Sequence, residues 1–295
     1  MPELMNTREV AEYLRIKERK VYDLVRGRRI PCTRVAGKWL FPKTLIDLWV
    51  LRNTRCDPAV AAAPRPAPVI VGSHDPLLEW AARESGCEMA ILFGGSLDGL
   101  RRFAQSEAAV CGLHVFDPET RTYNEAAVKD TLADLDVVLV EWAEREQGLV
   151  VAAGNPHRIA KLSDVRDRRV RFADRQEGAG SRLLLTHLLS QQELSLSDLN
   201  IPSPPARNET DVGVLVSEGR ADAGLAIRAV AAQFRLDFVP LHKERYDLAV
   251  RRREYFEPGF QKFLDFTRTE RFGDKAKSLS GYDVGGLGRV VYNGP

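Results

Sequence analysis

The sequence has no apolar run near the roughly 20 residues that a bilayer-spanning helix needs, and its opening MPELMNTREV lacks the basic-then-apolar pattern of a secretory signal. The expectation is a cytoplasmic protein with no membrane contact. Cysteine is scarce: Cys32, Cys56, Cys87 and Cys111 stand singly and form no C-x-x-C pair. They read as free thiols in a reducing compartment, not as a disulfide framework or a metal site. Neither G-x-x-x-x-G-K-[ST] nor G-x-G-x-x-G occurs, which disfavours a P-loop triphosphatase and a dinucleotide fold. The five histidines follow no metal-ligand spacing, and no Ser/His/Asp set stands out from the background of serines and acids. The expectation is therefore no enzyme, no metal and no cofactor.

What is present divides the chain in two. Its 295 residues, 44% hydrophobic, suffice for packed cores and about two domains. The net charge of +2 hides an asymmetry. Residues 1–55 carry thirteen Lys and Arg against six Asp and Glu, a net of +7, and the other 240 residues carry −5. A basic head suits a polyanionic partner that the acidic body does not share. Between them CDPAVAAAPRPAP, with four prolines and five alanines, predicts a semi-rigid linker over residues 55–68. The expected organisation is a head at 1–54 and a body at 69–295, with GGLGRVVYNGP a loose end.

In the head, Thr7 can cap a helix whose Val10, Ala11 and Leu14 share a face. After a turn at Arg15-Ile16, a second helix places Val21, Leu24 and Val25 inward, with Gly27 at its end. CTRVAGKWLF reads as a hairpin around Ala36-Gly37, with Trp39 and Phe41 anchoring it. Pro42 opens a third helix whose Leu45, Leu48 and Trp49 are expected to pack inward. Through NTREVAEYL, VYDLVRGRRIP and GKWLFPKTLIDLW, about 48 residues, the head resembles the excisionase/MerR-like winged helix-turn-helix family. That resemblance implies binding to double-stranded DNA, with residues 17–26 in the major groove and the hairpin as a wing. Lys17, Arg19, Lys20, Tyr22, Arg26 and Lys38 are the candidate DNA-binding residues.

The body alternates strands with helices: Val69–Val71 before a helix from Pro76, Met89–Phe93 before a helix from about Leu97, and later RRVRFADRQEGAGSRLLLTHLLSQQ and ADAGLAIRAVAAQF. This α/β pattern predicts parallel sheets with ligands at the strand carboxyl ends. Three turns, GSHD, GGSLDG and EGAGSR, place glycine and serine where a strand hands over to a helix. Free amides, the positive helix end and a hydroxyl gather there, a neutral cage for an oxyanion if the turns converge. GLVVAAGNP (148–156) and RYDLAVRRR (245–253) suit paired crossings between two lobes.

On GSHDPLL, LFGGSLDGL, RQEGAGSR and GRADAGLAI, the body resembles the type II periplasmic-binding-protein-like domain found in soluble regulators and in molybdate and tungstate receptors. By that resemblance, lobe one is 69–149 plus 248–295 and lobe two is 150–247. Ser73 and Ser96 would bind the anion from lobe one, and Arg175, Gly180 and Ser181 from lobe two, with Tyr246 donating its hydroxyl. The family often has threonines where this chain has Ser73-His74 and Ser181. His114 would hold a loop or border the ligand, with Arg228 an outlying candidate. The whole reads as a ligand-responsive transcription regulator, a homodimer on two half-sites, with molybdate or tungstate as effector. Two alternatives stay open: another effector (sulfate, phosphate, an organic acid or a pterin-like cofactor), or an enzyme of cofactor metabolism carrying an interaction module.

Overall fold

The computed structural model describes residues 4–53, 66–133 and 135–294. The chain divides into two compact units, Met1–Ala63 and Pro64–Pro295. Of the linker expected at 55–68, residues 55–65 lie outside the described residues, as does Cys56; Cys32, Cys87 and Cys111 are free thiols.

The first unit runs β1 (Leu4–Asn6), α1 (Thr7–Tyr13), α2 (Glu18–Arg26), β2 (Thr33–Val35), β3 (Lys38–Pro42) and α3 (Lys43–Asn53). Its three strands form one antiparallel sheet, β1-β3-β2. β1 was not expected, because three residues show no alternation. Asn6, not Thr7, caps α1. Its side chain accepts from the Arg8 and Glu9 amides at 2.9 and 3.0 Å while the Glu9 carboxylate accepts from the Asn6 amide at 2.8 Å, a complete capping box. Met5, Val10, Ala11, Val21, Val25, Phe41 and Ile46 form the core. Ile46 takes the inward place expected of Leu45, which is 47% exposed. The buried face of α3 runs through Ile46 to the half-buried Trp49, three residues on, and turns Leu45 outward.

The second unit begins with β4 (Val69–Gly72), α4 (Pro76–Glu84), β5 (Ala90–Phe93), α5 (Ser96–Ala104) and β6 (Val110–Leu113). A small hairpin, β7 (Phe116–Asp117) and β8 (Thr122–Tyr123), precedes α6 (Glu125–Leu132) and the fifteen-residue β9 (Val137–Val151). Then come α7 (Leu162–Asp167), β10 (Phe172–Ala173), α8 (Gly180–Ser190), α9 (Glu209–Ser217), β11 (Ala223–Ile227), α10 (Arg228–Gln233) and β12 (Asp237–Arg251). The chain ends with α11 (Arg252–Tyr255), α12 (Pro258–Thr267), α13 (Glu270–Ser278), β13 (Tyr282–Asp283) and β14 (Val290–Asn293).

One nine-stranded sheet, ordered β10-β11-β9-β12-β6-β4-β5 with β13 and β14 also on β9, serves the whole unit. β4 pairs in parallel with β5 and β6, and β10 with β11, as the strand–helix alternation requires. The crossings are long antiparallel strands, β9 and β12, rather than the short segments expected at 148–156 and 245–253. Each crossing strand serves two cores. Trp142 and Val250 pack with Ile70, Leu77 and Phe263, whereas Leu149 and Val151 pack with Phe172, Leu184 and Leu225. No helix among the described residues is long and apolar enough to cross a membrane.

Ala36 and Gly37 turn the β2–β3 hairpin with φ of 48° and 80°, the two positive φ values of a type I′ turn. An L residue there costs about 1–2 kcal/mol, partly offset by the entropy that glycine loses on folding. Ala36→Gly should therefore stabilise the first unit by about 0.5–1 kcal/mol, read from denaturant unfolding; an unchanged or lower midpoint would contradict this turn.

Candidate functional site

The carboxyl ends of β4, β5 and β6 and the start of α8 meet at one buried point. Gly72, at φ +109°, closes β4 against β6, where a Cβ would stand 2.0 Å from the Gly112 carbonyl oxygen. The next residue, Ser73, is thereby aimed at the end of β6, and its Oγ lies 2.9 Å from Nε2 of His114. Ser96, first residue of α5, accepts the His114 amide on Oγ at 3.3 Å. Gly180 starts α8 against the same imidazole; a Cβ there would lie 2.5 Å from the His114 carbonyl oxygen and 2.9 Å from Nε2. Beside it, Ser181 Oγ accepts from Nη1 of Arg175 at 3.3 Å, and Arg175 also donates to the Arg207 carbonyl at 3.1 Å. Ser73, Ser96 and Gly180 therefore meet at His114, and Ser181 follows Gly180 on α8 with Arg175 bonded to it, all of them buried. The 94–97 turn touches the loop before α8, with the Leu97 amide donating to Gly178 O at 3.2 Å and Gln176 Nε2 to Gly94 O at 3.3 Å.

Beneath the serines lies a charged layer that sequence reasoning missed. Arg145 of β9 and Glu244 of β12 are direct cross-strand partners joined by a close ion pair. Nη1 of Arg145 also donates to Asp75 at 2.8 Å. Asp75 caps α4 through the Leu78 amide and accepts from Trp142 Nε1 at 3.0 Å and from Tyr282. Glu244 reaches Nδ1 of His114 at 2.7 Å and accepts from Gln147 at 3.1 Å; Gln147 in turn donates to Glu209 at 2.9 Å, and Glu209 accepts the Ile227 amide at 2.8 Å. Burial works to raise the Glu244 carboxyl, but Arg145 and then His114 outweigh it and hold it at about 2. Burial pushes the Arg175 guanidinium down from its ordinary value, against the pull of Glu209 and Asp211. Residues 144–147 of β9 read EREQ, polar throughout, so no alternation in the sequence distinguishes the buried Arg145 and Gln147 from the exposed Glu144.

His114, Glu209 and Glu244 bring ligand atoms within 4.8 Å of one another. Those atoms are already committed to Ser73, Arg145, Gln147 and the Ile227 amide, so a cation would have to displace an existing partner. Tyr246, expected to offer its hydroxyl to a ligand, gives its proton to the Ser73 carbonyl and stacks on His114 at 5.7 Å. It shapes the site from behind. Arg228 is paired with Glu146 and lies over Phe238, away from the cluster.

In the first unit, Lys17, Arg19, Lys20, Tyr22 and Arg26 lie exposed at the start and along α2, and Lys38 stands exposed beside the hairpin turn. Tyr22, 48% exposed, leaves an aromatic ring on the same helix as three cations.

Taken together, a strand–helix alternation, two crossing strands and a polar cluster between two cores define a two-lobed binding fold. A family model described as PBP superfamily domain matches residues 78–268, and the chain belongs to that family. A second model, described as Helix-turn-helix domain, matches residues 4–54. The chain is 26% identical over 298 residues to "Uncharacterized protein YvgK" of Bacillus subtilis (strain 168), covering 96% of each. It is 31% identical over 81 residues to "Uncharacterized protein in ferredoxin 2Fe-2S gene 5'region" of Clostridium pasteurianum, covering 27% of this chain and 72% of that one. Among solved structures, the sulfate-binding protein SubI from Mycobacterium tuberculosis H37Rv superposes with a TM-score of 0.51 at 17% identity, over 72% of this chain and 85% of that one. PhnD1 from Prochlorococcus marinus (MIT 9301), in complex with methylphosphonate, gives 0.52 at 11%, over 75% and 93%. These two likenesses speak to the fold alone. A helix-turn-helix unit and a PBP superfamily domain in one chain fit a ligand-responsive transcription regulator.

Asp247, also on β12, titrates away from its ordinary range. Burial raises its carboxyl to about 6, against Arg245 and the Asn124 amide donated at 2.7 Å. A carboxyl whose folded pKa exceeds the unfolded one stabilises the fold below about 4 and loses that contribution as pH rises through about 6, here about 2–3 kcal/mol. Asp247→Asn should become more stable relative to wild type as pH rises from 4 to 7, measured by denaturant unfolding at stepped pH; a pH-independent difference would contradict the assignment.

Proposed function

We propose that this chain is a cytoplasmic, one-component transcription regulator that binds double-stranded DNA as a dimer and senses a small tetrahedral oxyanion, molybdate or tungstate first. The effector reading is supported by the Ser73 and Ser96 hydroxyls at His114 and by Arg175 on the Ser181 hydroxyl, with Ser96 and Ser181 in the first turns of α5 and α8 and Gly180 against the same imidazole. The first amides of a helix have no intrahelical acceptor, and the helix dipole favours an anion there. The nearby carboxylates are not bare charges: Asp75 and Glu244 share the guanidinium of Arg145, Glu244 also accepts from Gln147, and Asp75 from Trp142 and Tyr282. An anion held from both sides stabilises the closed arrangement in proportion to its preference for it, and that difference is what can reach the DNA-binding unit. One winged unit offers few base contacts, which supports an excisionase/MerR-like dimer on two half-sites.

The effector test is a thermal-unfolding titration with molybdate, tungstate, sulfate, phosphate and a set of organic acids. Ligand at about 100 times its Kd adds about 2.7 kcal/mol, hence a rise of several degrees. Molybdate and tungstate should raise Tm, and Arg175→Ala or Ser181→Ala should abolish the rise. Response to sulfate or phosphate instead would change the anion; response to organic acids alone would defeat the oxyanion reading.

For DNA, Arg19→Ala with Lys20→Ala should weaken operator binding and flatten its salt dependence by about one unit of slope per lost phosphate contact, with anion affinity unchanged. Undiminished DNA retention would remove α2 from the interface.

One observation favours a second reading. Ser73, His114 and Glu244 have the order and spacing of a nucleophile, base and acid, at 2.9 and 2.7 Å. Against it, Ser73 and His114 are both buried with Gly180 packed on the imidazole, and Glu244 is held by Arg145 and Gln147 as well. A fluorophosphonate probe should leave Ser73 unmodified; an adduct there would make the protein an enzyme.

A further inference from the structure

A cavity of about 570 Å³ lies against the charged layer and takes no part in the serine cluster. Its walls come from three places: Phe116 and Tyr123 of the β7–β8 hairpin, His187 of α8, and His242, Lys243 and Glu244 of β12. Four of these side chains are rings. The Phe116 centroid stands 4.8 Å from His187, 5.3 Å from Tyr123 and 5.4 Å from His242, with tilted or edge-on geometry, so that they form one aromatic wall. That volume is within the roughly 300–1,000 Å³ of ordinary small-molecule sites.

Two further observations point to the chemistry of an occupant. The Tyr123 hydroxyl is buried at this wall with no hydrogen-bond partner among the described residues. An unpaired buried donor is unfavourable, and an acceptor entering the cavity would relieve it. Burial, and then the Glu244 carboxylate, push this phenol above its ordinary value, so it remains a donor. The ionic lining is cationic in balance. Arg121 and Lys243 are exposed at the cavity, and Arg245 also lines it, bonded to Asp247 and to the Tyr123 carbonyl. Of the two acids lining it, Glu244 is already matched by Arg145, leaving Glu144.

We propose that this cavity is a second small-molecule site that takes a planar aromatic or heteroaromatic acid, its ring on Phe116 and His187 and its acceptor at Tyr123. Because the walls belong to both halves of the unit, an occupant ties the β7–β8 hairpin to α8. Glu244 is common to this site and to the His114–Ser73 chain, so the two sites share one carboxylate. The assignment does not depend on the serine cluster binding an oxyanion.

The test uses the full chain and 1-anilinonaphthalene-8-sulfonate, an aromatic acid with a planar naphthalene ring, in a fluorescence titration. Binding should saturate at one probe per chain. Phe116→Ala should weaken it about tenfold or more, Tyr123→Phe about three- to tenfold, and Arg175→Ala less than about twofold. The uncharged analogue N-phenyl-1-naphthylamine should bind about tenfold more weakly. Thermal unfolding establishes that each variant is folded, and His187→Leu replaces Phe116→Ala if the latter is not. Non-saturable binding, indifference to these variants, or a loss in Arg175→Ala equal to that in Phe116→Ala would overturn the site. Equal affinity for the uncharged analogue would overturn its preference for an acid.

Discussion

A buried guanidinium, Arg145, is the constraint on which the binding unit depends. It sits at the middle of the longest strand pair, with Glu244 opposite on β12, Tyr282 opposite on β13, and Asp75 reaching it from the start of α4. Placing an unpaired charge there would cost several kcal/mol, so the three surrounding elements must arrive in register for the unit to fold. Arg145 also lies over the Tyr246 ring at 4.5 Å, and Tyr246 stacks on His114. The position of the imidazole around which the serines gather is thus set from below, by a charge balance, and not by the turns alone.

That arrangement explains why acids and hydroxyls coexist in one small volume. The carboxylates share their donors: Arg145 serves Asp75 and Glu244, and Gln147 serves Glu244 and Glu209. Sharing donors in this way leaves no carboxylate of the layer without a hydrogen bond, which is what lets three of them lie buried together. The same economy links the serine cluster with the aromatic cavity through Glu244.

Much of this was legible in the residues. The three Gly/Ser turns stood at equivalent places in strand–turn–helix units, and parallel sheets bring such places to one edge, as Ser73, Ser96 and Gly180 show. The two head helices followed from Val10, Val21 and Val25 at helical spacing. Other features could not be read. Ile46 rather than Leu45 faces the core because both are aliphatic neighbours, and one residue of phase decides. Nothing in the sequence singles out Arg145, Gln147, Glu209 and Glu244, since polar residues surround each of the three on the crossing strands and Glu209 opens a helix, where an acid is ordinary. Tyr246 was recognised as lying on a crossing strand, yet only the close approach of Gly112 shows its hydroxyl directed to backbone.

The most direct test of the charge balance is a double-mutant cycle on Arg145→Met and Glu244→Gln, read by denaturant unfolding of the binding unit within the full chain. If the pair organises the site, each single variant should lose about 3–5 kcal/mol and the double variant should lose less than their sum by about 2 kcal/mol or more. Losses that add to within about 0.5 kcal/mol would contradict it.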